Sequence, residues 1–213
     1  MTKLLPGVIA MALVVVISNI LVQFLILDGL LTWGAFTYPI AFLVTDLMNR
    51  LYGPAMARRV VFSGFVVGII CSLIGSQIMI EFEPGVSGPA VALRIAVASA
   101  IAFLIAQLLD VAIFDRLRAG TWWRAPVVSS ILGSTIDTAL FFTIAFAAFI
   151  SFGAGPDAEI GWAQGPAPLL LNGPEAPLWV TLAIADWGVK LLVALLALVP
   201  FRLITARFSA VAQ

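Results

Sequence analysis

Read from its N-terminus, the chain is a succession of long apolar runs separated by short polar stretches or by stretches rich in glycine and proline. Six runs stand out: Gly7–Leu27, Leu30–Asn49, Val60–Ile80, Ala90–Phe114, Ala125–Ile150 and Leu178–Phe201. Each has 20 to 26 residues, and about 20 residues at 1.5 Å rise cross the roughly 30 Å hydrocarbon core of a bilayer. Barrel strands are shorter and alternate every second residue, so unbroken runs of this length predict helices. The expected fold is an all-α polytopic membrane protein with six transmembrane helices, residues 1–213 forming one domain. The first run reads as a span rather than a cleavable signal, because its apolar stretch is too long and no small-x-small site precedes a soluble domain.

Interruptions in the pattern carry further information. In the second run, Gly34 and Pro39 fall within Gly34-Ala-Phe-Thr-Tyr-Pro39; proline removes one backbone hydrogen bond and kinks a helix. Such a kink serves packing alone, or it frees backbone groups to line a cavity, as in transporters with broken helices. In the third run Gly64, Gly68, Ser72 and Ser76 recur every four residues, a small-residue stripe that lets another helix approach closely and serves as scaffold or homodimer contact. The stretch Ser151–Pro177 has 27 residues with five Gly, five Pro and no cation, and contains Trp162 and Leu169–Leu171. It is either a loop at the bilayer interface or a lid over a cavity.

Composition agrees with the pattern. Apolar residues make up 62% of the chain and charged residues 10%, far from the near-half and one-quarter shares of a soluble domain. Histidine is absent, which excludes Ser-His-Asp and Cys-His catalysis and argues against a zinc centre. Cys71 is the single cysteine, so no intrachain disulfide forms. Neither Lys3 nor Lys190 lies in a phosphate-binding G-x-x-x-x-G-K-[ST] loop. No enzyme activity, cofactor or nucleic-acid partner is expected.

Net charge is zero, with 11 basic and 11 acidic residues, but their placement is informative. In a six-span arrangement Lys3, Arg50, Arg58, Arg59, Arg116, Arg118, Arg124, Arg202 and Arg207 fall on one side, in connections of about ten residues. Arg94 lies at the opposite border, where Asp28, Glu81, Glu83, Asp157, Glu159 and Glu175 collect. An excess of Lys and Arg marks the cytoplasmic side, which predicts both termini in the cytoplasm.

Asp46, Asp110, Asp137, Asp186 and Lys190 lie within the runs or near their ends, where a charge at mid-bilayer costs about 2.5–3.5 kcal/mol on insertion scales. Asp186 and Lys190, four residues apart on one helical face, can neutralise each other; Asp46 and Asp110, nearer the basic side, can reach water. Helical spacing groups further polar residues: Ser130, Ser134 and Asp137; Gln107 and Asp110; Asn19 and Gln23. Stripes on four helices describe a polar cavity inside the bundle. Four aspartates against one lysine leave three excess acids. Either some are protonated or a cation enters, with Asp137 or Asp186 as the residue that exchanges a proton or pairs with a cationic substrate.

From the second run onward the motifs become specific. Thr37-Tyr-Pro-Ile-Ala-Phe-Leu-Val-Thr-Asp-Leu-Met-Asn49 is followed by Arg50-Leu-Tyr-Gly53 and Ala57-Arg-Arg59. Ser18-Asn-Ile-Leu-Val-Gln-Phe24, Gln107-Leu-Leu-Asp110, Phe114-Asp-Arg-Leu-Arg118, Trp122-Trp-Arg-Ala-Pro-Val-Val-Ser-Ser130, Asp137 and the Lys190…Pro200 spacing complete the set. Over about residues 10–202 the chain resembles the queuosine precursor transporter family, also called the vitamin-uptake-like family. Many members have Glu where this chain has Arg50, so a role carried by that Glu does not transfer.

The resemblance implies a six-helix inner-membrane importer of 7-cyano-7-deazaguanine or its aminomethyl analogue, facilitated or proton-coupled. Its architecture would be distantly similar to that of the substrate-binding subunits of energy-coupling-factor transporters, without their ATPase partners. Such a base presents an N–H/NH₂ donor edge that Asp137 or Asp186 can accept. Gln107, Asn19 or Gln23 can donate to its carbonyl, and Tyr38, Phe36 or Trp187 can stack on its ring. With Asp46, Asn49, Asp110, Ser134 and Lys190, these make up the candidate substrate-binding set. The competing readings are a subunit for another vitamin-like solute that needs a separate ATPase module, and a scaffold or receptor that moves nothing.

Overall fold

The computed structural model describes residues 3–22, 24–27, 29–83, 86–150 and 158–211. Among these residues seven α-helices follow one another: α1 (Leu5–Leu21), α2 (Gly34–Thr37), α3 (Ile40–Tyr52), α4 (Pro54–Gln77), α5 (Leu93–Leu117), α6 (Arg124–Phe146) and α7 (Leu178–Val211). Four stretches are long and apolar enough to cross a membrane: Pro54–Gln77, Leu93–Leu117, Arg124–Phe146 and Leu178–Phe208. α1 is a shorter apolar helix of 17 residues. The chain is a polytopic membrane protein.

The second apolar run is divided. α2 has four residues, Tyr38 and Pro39 form the joint, and α3 continues for 13. Proline lacks the N–H that would continue the ladder; Tyr38 and Pro39 themselves keep right-handed helical dihedrals, so the joint is a missing hydrogen bond rather than an extended break. Beyond the joint, α3 becomes the central element, touching α1, α4, α5, α6 and α7. Ala41, Phe42, Val44, Thr45, Asp46, Met48 and Asn49 are all buried.

Two boundaries differ from the sequence expectation. α4 begins at Pro54 rather than near Val60, so Arg58 and Arg59 are helical, and the connection between α3 and α4 is one residue instead of about ten. Gly53 makes that corner at φ +87°, a conformation that a side chain disfavours. Pro54 then supplies a helical φ at the first position of α4, where its missing N–H costs nothing. α7 runs past Pro200 to Val211 instead of ending near Phe201. Its extension is held by Arg202, whose guanidinium lies 5.1 Å from the centre of the Trp122 ring.

The small-residue stripe of α4 is used inside the chain. A Cβ at Gly64 would come within 2.5 Å of Met11 Cγ, and one at Gly68 within 3.7 Å of Val15 Cγ1, so α1 occupies this face. α5 and α6 also approach closely. Ala98, Ala102, Ala106 and Asp110 follow one another at four-residue spacing along α5, all buried. Opposite them, a Cβ on Gly133 would meet Phe42 Cε1 at 2.7 Å and Asp110 Cβ at 3.4 Å.

Arginines tie the helix ends. At the end where α3 turns into α4, Arg50 donates through Nη1 to the Arg118 carbonyl at 2.5 Å, satisfying an orphan acceptor at the end of α5. At the opposite end, buried Arg94 donates to the carbonyls of Ile144 at 2.9 Å and Ala147 at 2.7 Å, placing a cation against the C-terminus of α6. This accounts for the cation that lay apart from the other arginines in the sequence.

Asp28 and Asp157 lie outside the described residues, as does the 151–157 part of the long Ser151–Pro177 stretch. The remainder packs on the Arg94 end. A short 3₁₀ helix, Ala158–Ala163, buries Ile160 and Ala163 against Ala98, Phe142 and Phe146. Gln164 Nε2 donates to the Phe146 carbonyl at 2.6 Å. The strands Pro166–Pro168 and Glu175–Pro177 pair antiparallel before α7 begins, while Trp162, Leu170 and Leu171 are exposed.

Candidate binding site

Lipid-facing helices leave little room for polar groups, yet two buried polar assemblies sit at different depths of the bundle. Asp46, Asp110, Asp137 and Lys190 are each at most 4% exposed. Charges buried this deeply persist only when paired or hydrogen-bonded.

The first assembly joins α6 to α7. Lys190 Nζ lies 2.7 Å from Asp137 Oδ2 and 2.6 Å from Asp186 Oδ2, and donates to Thr138 Oγ1 at 3.0 Å. Thr138 in turn donates to Asp186 Oδ2 at 3.0 Å. The ammonium thus spends its three donors on two carboxylates and a hydroxyl. Lys190 Nζ also stands 5.7 Å from the centre of the Tyr38 ring, within cation–π range. The joint between α2 and α3 thereby faces the triad.

Tyr38 has a second neighbour. With Asn19, Phe65, Ser72, Ser99 and Phe103 it lines a narrow half-open crevice between α1, α4 and α5, with room of about 20 Å³. Tyr38 and Phe103 meet edge to face, with their ring centres 6.1 Å apart. Asn19 donates through Nδ2 to the Val15 carbonyl at 2.8 Å, so its amide is held at the crevice wall.

The second assembly lies toward the Gly53 end and joins α3, α5 and α6. Ser129 and Ser130 each donate to Asp46, at 3.3 Å to Oδ1 and 3.3 Å to Oδ2. Asp110 faces Asp46 and Ser129. Thr45 Oγ1 donates to Gln107 Oε1 at 2.6 Å, and Asn49 Nδ2 donates to the Val111 carbonyl at 3.0 Å. Asn49 Oδ1, Gln107 Nε2 and both Asp110 oxygens are buried without a well-formed hydrogen bond among the described residues. A second, smaller crevice between α3, α6 and α7, with room of about 10 Å³, has Asp46, Ser130, Pro39 and Phe201 in its wall.

The residues singled out in the sequence therefore divide. Asp137, Asp186, Lys190 and Tyr38 come together; so do Asp46 and Asp110, with Asn49 and Gln107 on the flanking turns of α3 and α5. Asn19 reaches the first crevice. The hydroxyl of Ser134 is buried without a hydrogen-bond partner among the described residues, and Gln23 lies outside them. Of the aromatic candidates, Tyr38 lines a crevice, while Phe36 packs on Trp33. Trp187 is 38% exposed and bonded through Nε1 to Thr135 Oγ1 at 3.0 Å. Thr138, Thr45, Ser99, Phe65 and Phe103 were not singled out. A hydroxyl next to an intramembrane aspartate was the available signal for Thr138 and Thr45; the crevice residues carry none, since they look like packing.

Comparison with known proteins places the chain. The family model described as "Putative vitamin uptake transporter" matches residues 32–205. The chain belongs to this vitamin uptake transporter family. The match begins just before α2 and extends into the last turns of α7, so it takes in both buried assemblies. The chain is 35% identical over 196 residues to the "Queuosine precursor transporter" of Escherichia coli (strain K12), covering 88% of this chain and 79% of that protein. It is likewise 35% identical over 175 residues to the "Probable queuosine precursor transporter" of Haemophilus influenzae, covering 79% of this chain and 66% of that one. A Bacillus subtilis (strain 168) protein described in the same words is 30% identical over 129 residues, 54% of this chain and 56% of the relative. No solved structure matches significantly. With these relatives and its apolar helices, this member of the vitamin uptake transporter family is a multi-pass protein of the inner membrane.

Proposed function

We propose that the chain imports queuosine precursors, 7-cyano-7-deazaguanine or its aminomethyl analogue, across the inner membrane for transfer-RNA modification. In this reading α1, the α2–α3 pair, α4, α5, α6 and α7 make six crossings, with both termini in the cytoplasm and the Gly53 end facing inward, in keeping with its arginines. The likeness to energy-coupling-factor substrate-binding subunits belongs to the same reading.

The observation that carries the assignment is the pairing of an aromatic-walled crevice with a buried ion triad at one broken helix. The base enters between Tyr38, Phe65 and Phe103 once movement at the joint widens the crevice, with Asn19, Ser72 and Ser99 available to its polar edge. Asp137 and Asp186 are held to Lys190 through Oδ2, which leaves their Oδ1 atoms for the N–H/NH₂ edge of the guanine-like ring. The joint at Tyr38–Pro39 lets the wall of the crevice move without breaking α3. Transport is facilitated or proton-coupled. The supporting comparison is the identity with the Escherichia coli relative over most of both chains.

The test is the queuosine content of transfer RNA in a bacterium unable to make the precursor, supplied with traces of 7-cyano-7-deazaguanine from outside. Expression of the wild type restores modification and Asp137→Ala does not. Restoration by both removes Asp137 from the site, and failure of well-expressed wild type removes the substrate. The family's description as vitamin uptake favours one alternative, a subunit for another vitamin-like solute that works with a separate ATPase module. That protein would co-purify with the module and lose uptake without it.

A further inference from the structure

The reading above makes no use of the second polar assembly. Asp46 of α3 and Asp110 of α5 face each other in the bundle interior, 2% and 0% exposed. α6 contributes only the hydroxyls of Ser129 and Ser130. The residues of α7 at the adjoining crevice are Ala194, Ala197, Leu198 and Phe201. Charged groups on the same elements are engaged elsewhere: Arg50 on the Arg118 carbonyl, and Asp137 on Lys190. Among the described residues no cation pairs with Asp46 or Asp110.

Two buried carboxylates beside each other and without a paired cation do not both stay ionised; the stable arrangement is one proton shared by the pair. Serine hydroxyls donate to Asp46, so that carboxyl has acceptors engaged on both oxygens, while Asp110 has neither oxygen in a regular hydrogen bond. Asn49 Oδ1 and Gln107 Nε2, both fully buried and unpartnered, border the same layer. The crevice between α3, α6 and α7 brings Asp46 and Ser130 to its wall. Pro39 lines this crevice and Tyr38 lines the other; the two residues of one joint therefore serve opposite cavities.

We infer that the Asp46–Asp110 pair is a proton-binding site, separate from the base-binding crevice, through which import is coupled to the proton gradient. The Tyr38–Pro39 joint links it mechanically to the crevice. Coupling rests on the transport reading above; the proton site itself does not.

The experiment therefore has two arms. In the first, infrared difference spectra of the purified protein are recorded across a pH series. Wild type gives a protonated-carboxyl band that titrates, and both Asp46→Asn and Asp110→Asn shift its frequency and its titration midpoint, because each removes one of the two carboxyls that share the proton. Asp115→Asn, which alters an exposed acid, is the control and leaves the band unchanged. A band unchanged in frequency and midpoint in either single substitution of the pair overturns the shared site, as does the absence of a band in wild type. In the second arm, proteoliposomes are given 7-cyano-7-deazaguanine and an imposed gradient. A one-unit pH gradient drives about tenfold accumulation by wild type at one proton per substrate, and Asp110→Asn removes it. Accumulation that follows a sodium gradient and ignores pH overturns the coupling, and so does pH-driven accumulation undiminished in both substitutions. Wild type that moves no base by any gradient counts against the transport reading and leaves the infrared result standing.

Discussion

In the triad, Lys190 stands 2.7 Å from Asp137 and 2.6 Å from Asp186; in the pair, Asp46 and Asp110 have only each other and two serine hydroxyls. Both assemblies bury carboxyls in a membrane bundle, but one has a fixed cation between its acids and the other has none. In the first, one ammonium is shared by two carboxyls and fixes their geometry. The second is neutralised only by a mobile positive charge. One bundle thus holds a permanent counter-ion where a base would be oriented and a replaceable one where energy would be taken up.

Removing the fixed cation should break this contrast most severely. Lys190→Met leaves two buried carboxylates unpaired, and we expect about 3–5 kcal/mol of lost stability and no import, read from thermal unfolding in detergent and from transfer-RNA queuosine. Changing one acid to its amide sharpens the comparison, because the effect differs between the two assemblies. Asp137→Asn strands part of the Lys190 charge and costs on the order of 1–3 kcal/mol. Asp110→Asn mimics the protonated carboxyl and shifts the unfolding midpoint little; a large loss there would argue that the pair is ionised. Gly133→Ala tests the close approach that holds the pair in place. Its methyl would meet Phe42 Cε1 at 2.7 Å and Asp110 Cβ at 3.4 Å, an overpacking expected to cost about 1–3 kcal/mol by thermal unfolding. At the small end, Asp115→Asn removes an exposed ion pair with Arg118, 36% and 42% exposed, and should move the midpoint by less than about 1 kcal/mol.

How much could be read from the chain follows from the range of each interaction. Asp186 and Lys190 are four residues apart, and their contact follows from helical spacing alone. The Pro39 break is legible for the same reason, since proline acts on its own turn. Asp137 is more than fifty positions from Lys190, and Asp46 is further still from Asp110. Their partners depend on how α3, α5, α6 and α7 pack, which no local pattern states. Arg58 and Arg59 read as loop because charge usually marks a connection; instead they extend α4 past the apolar run, and a single glycine makes the turn. The stripe at Gly64 and Gly68 was legible as a contact, but whether it faced a second copy or α1 was not. Ser99 stayed hidden because a lone serine in a membrane helix is ordinarily packing, and Ser72 was legible only as part of the α4 stripe.

The Gly53 corner bears on how such a bundle moves. α3 is clamped at that end three times over: by the one-residue turn into α4, by Asn49 on the Val111 carbonyl and by Arg50 on the Arg118 carbonyl. Its other end is cut from α2 at Tyr38–Pro39. A rod anchored at one end and jointed at the other behaves as a lever whose fulcrum lies near Gly53. A displacement midway along the rod, at Asp46, becomes a larger one at the tip, where Tyr38 stands between the crevice and the lysine.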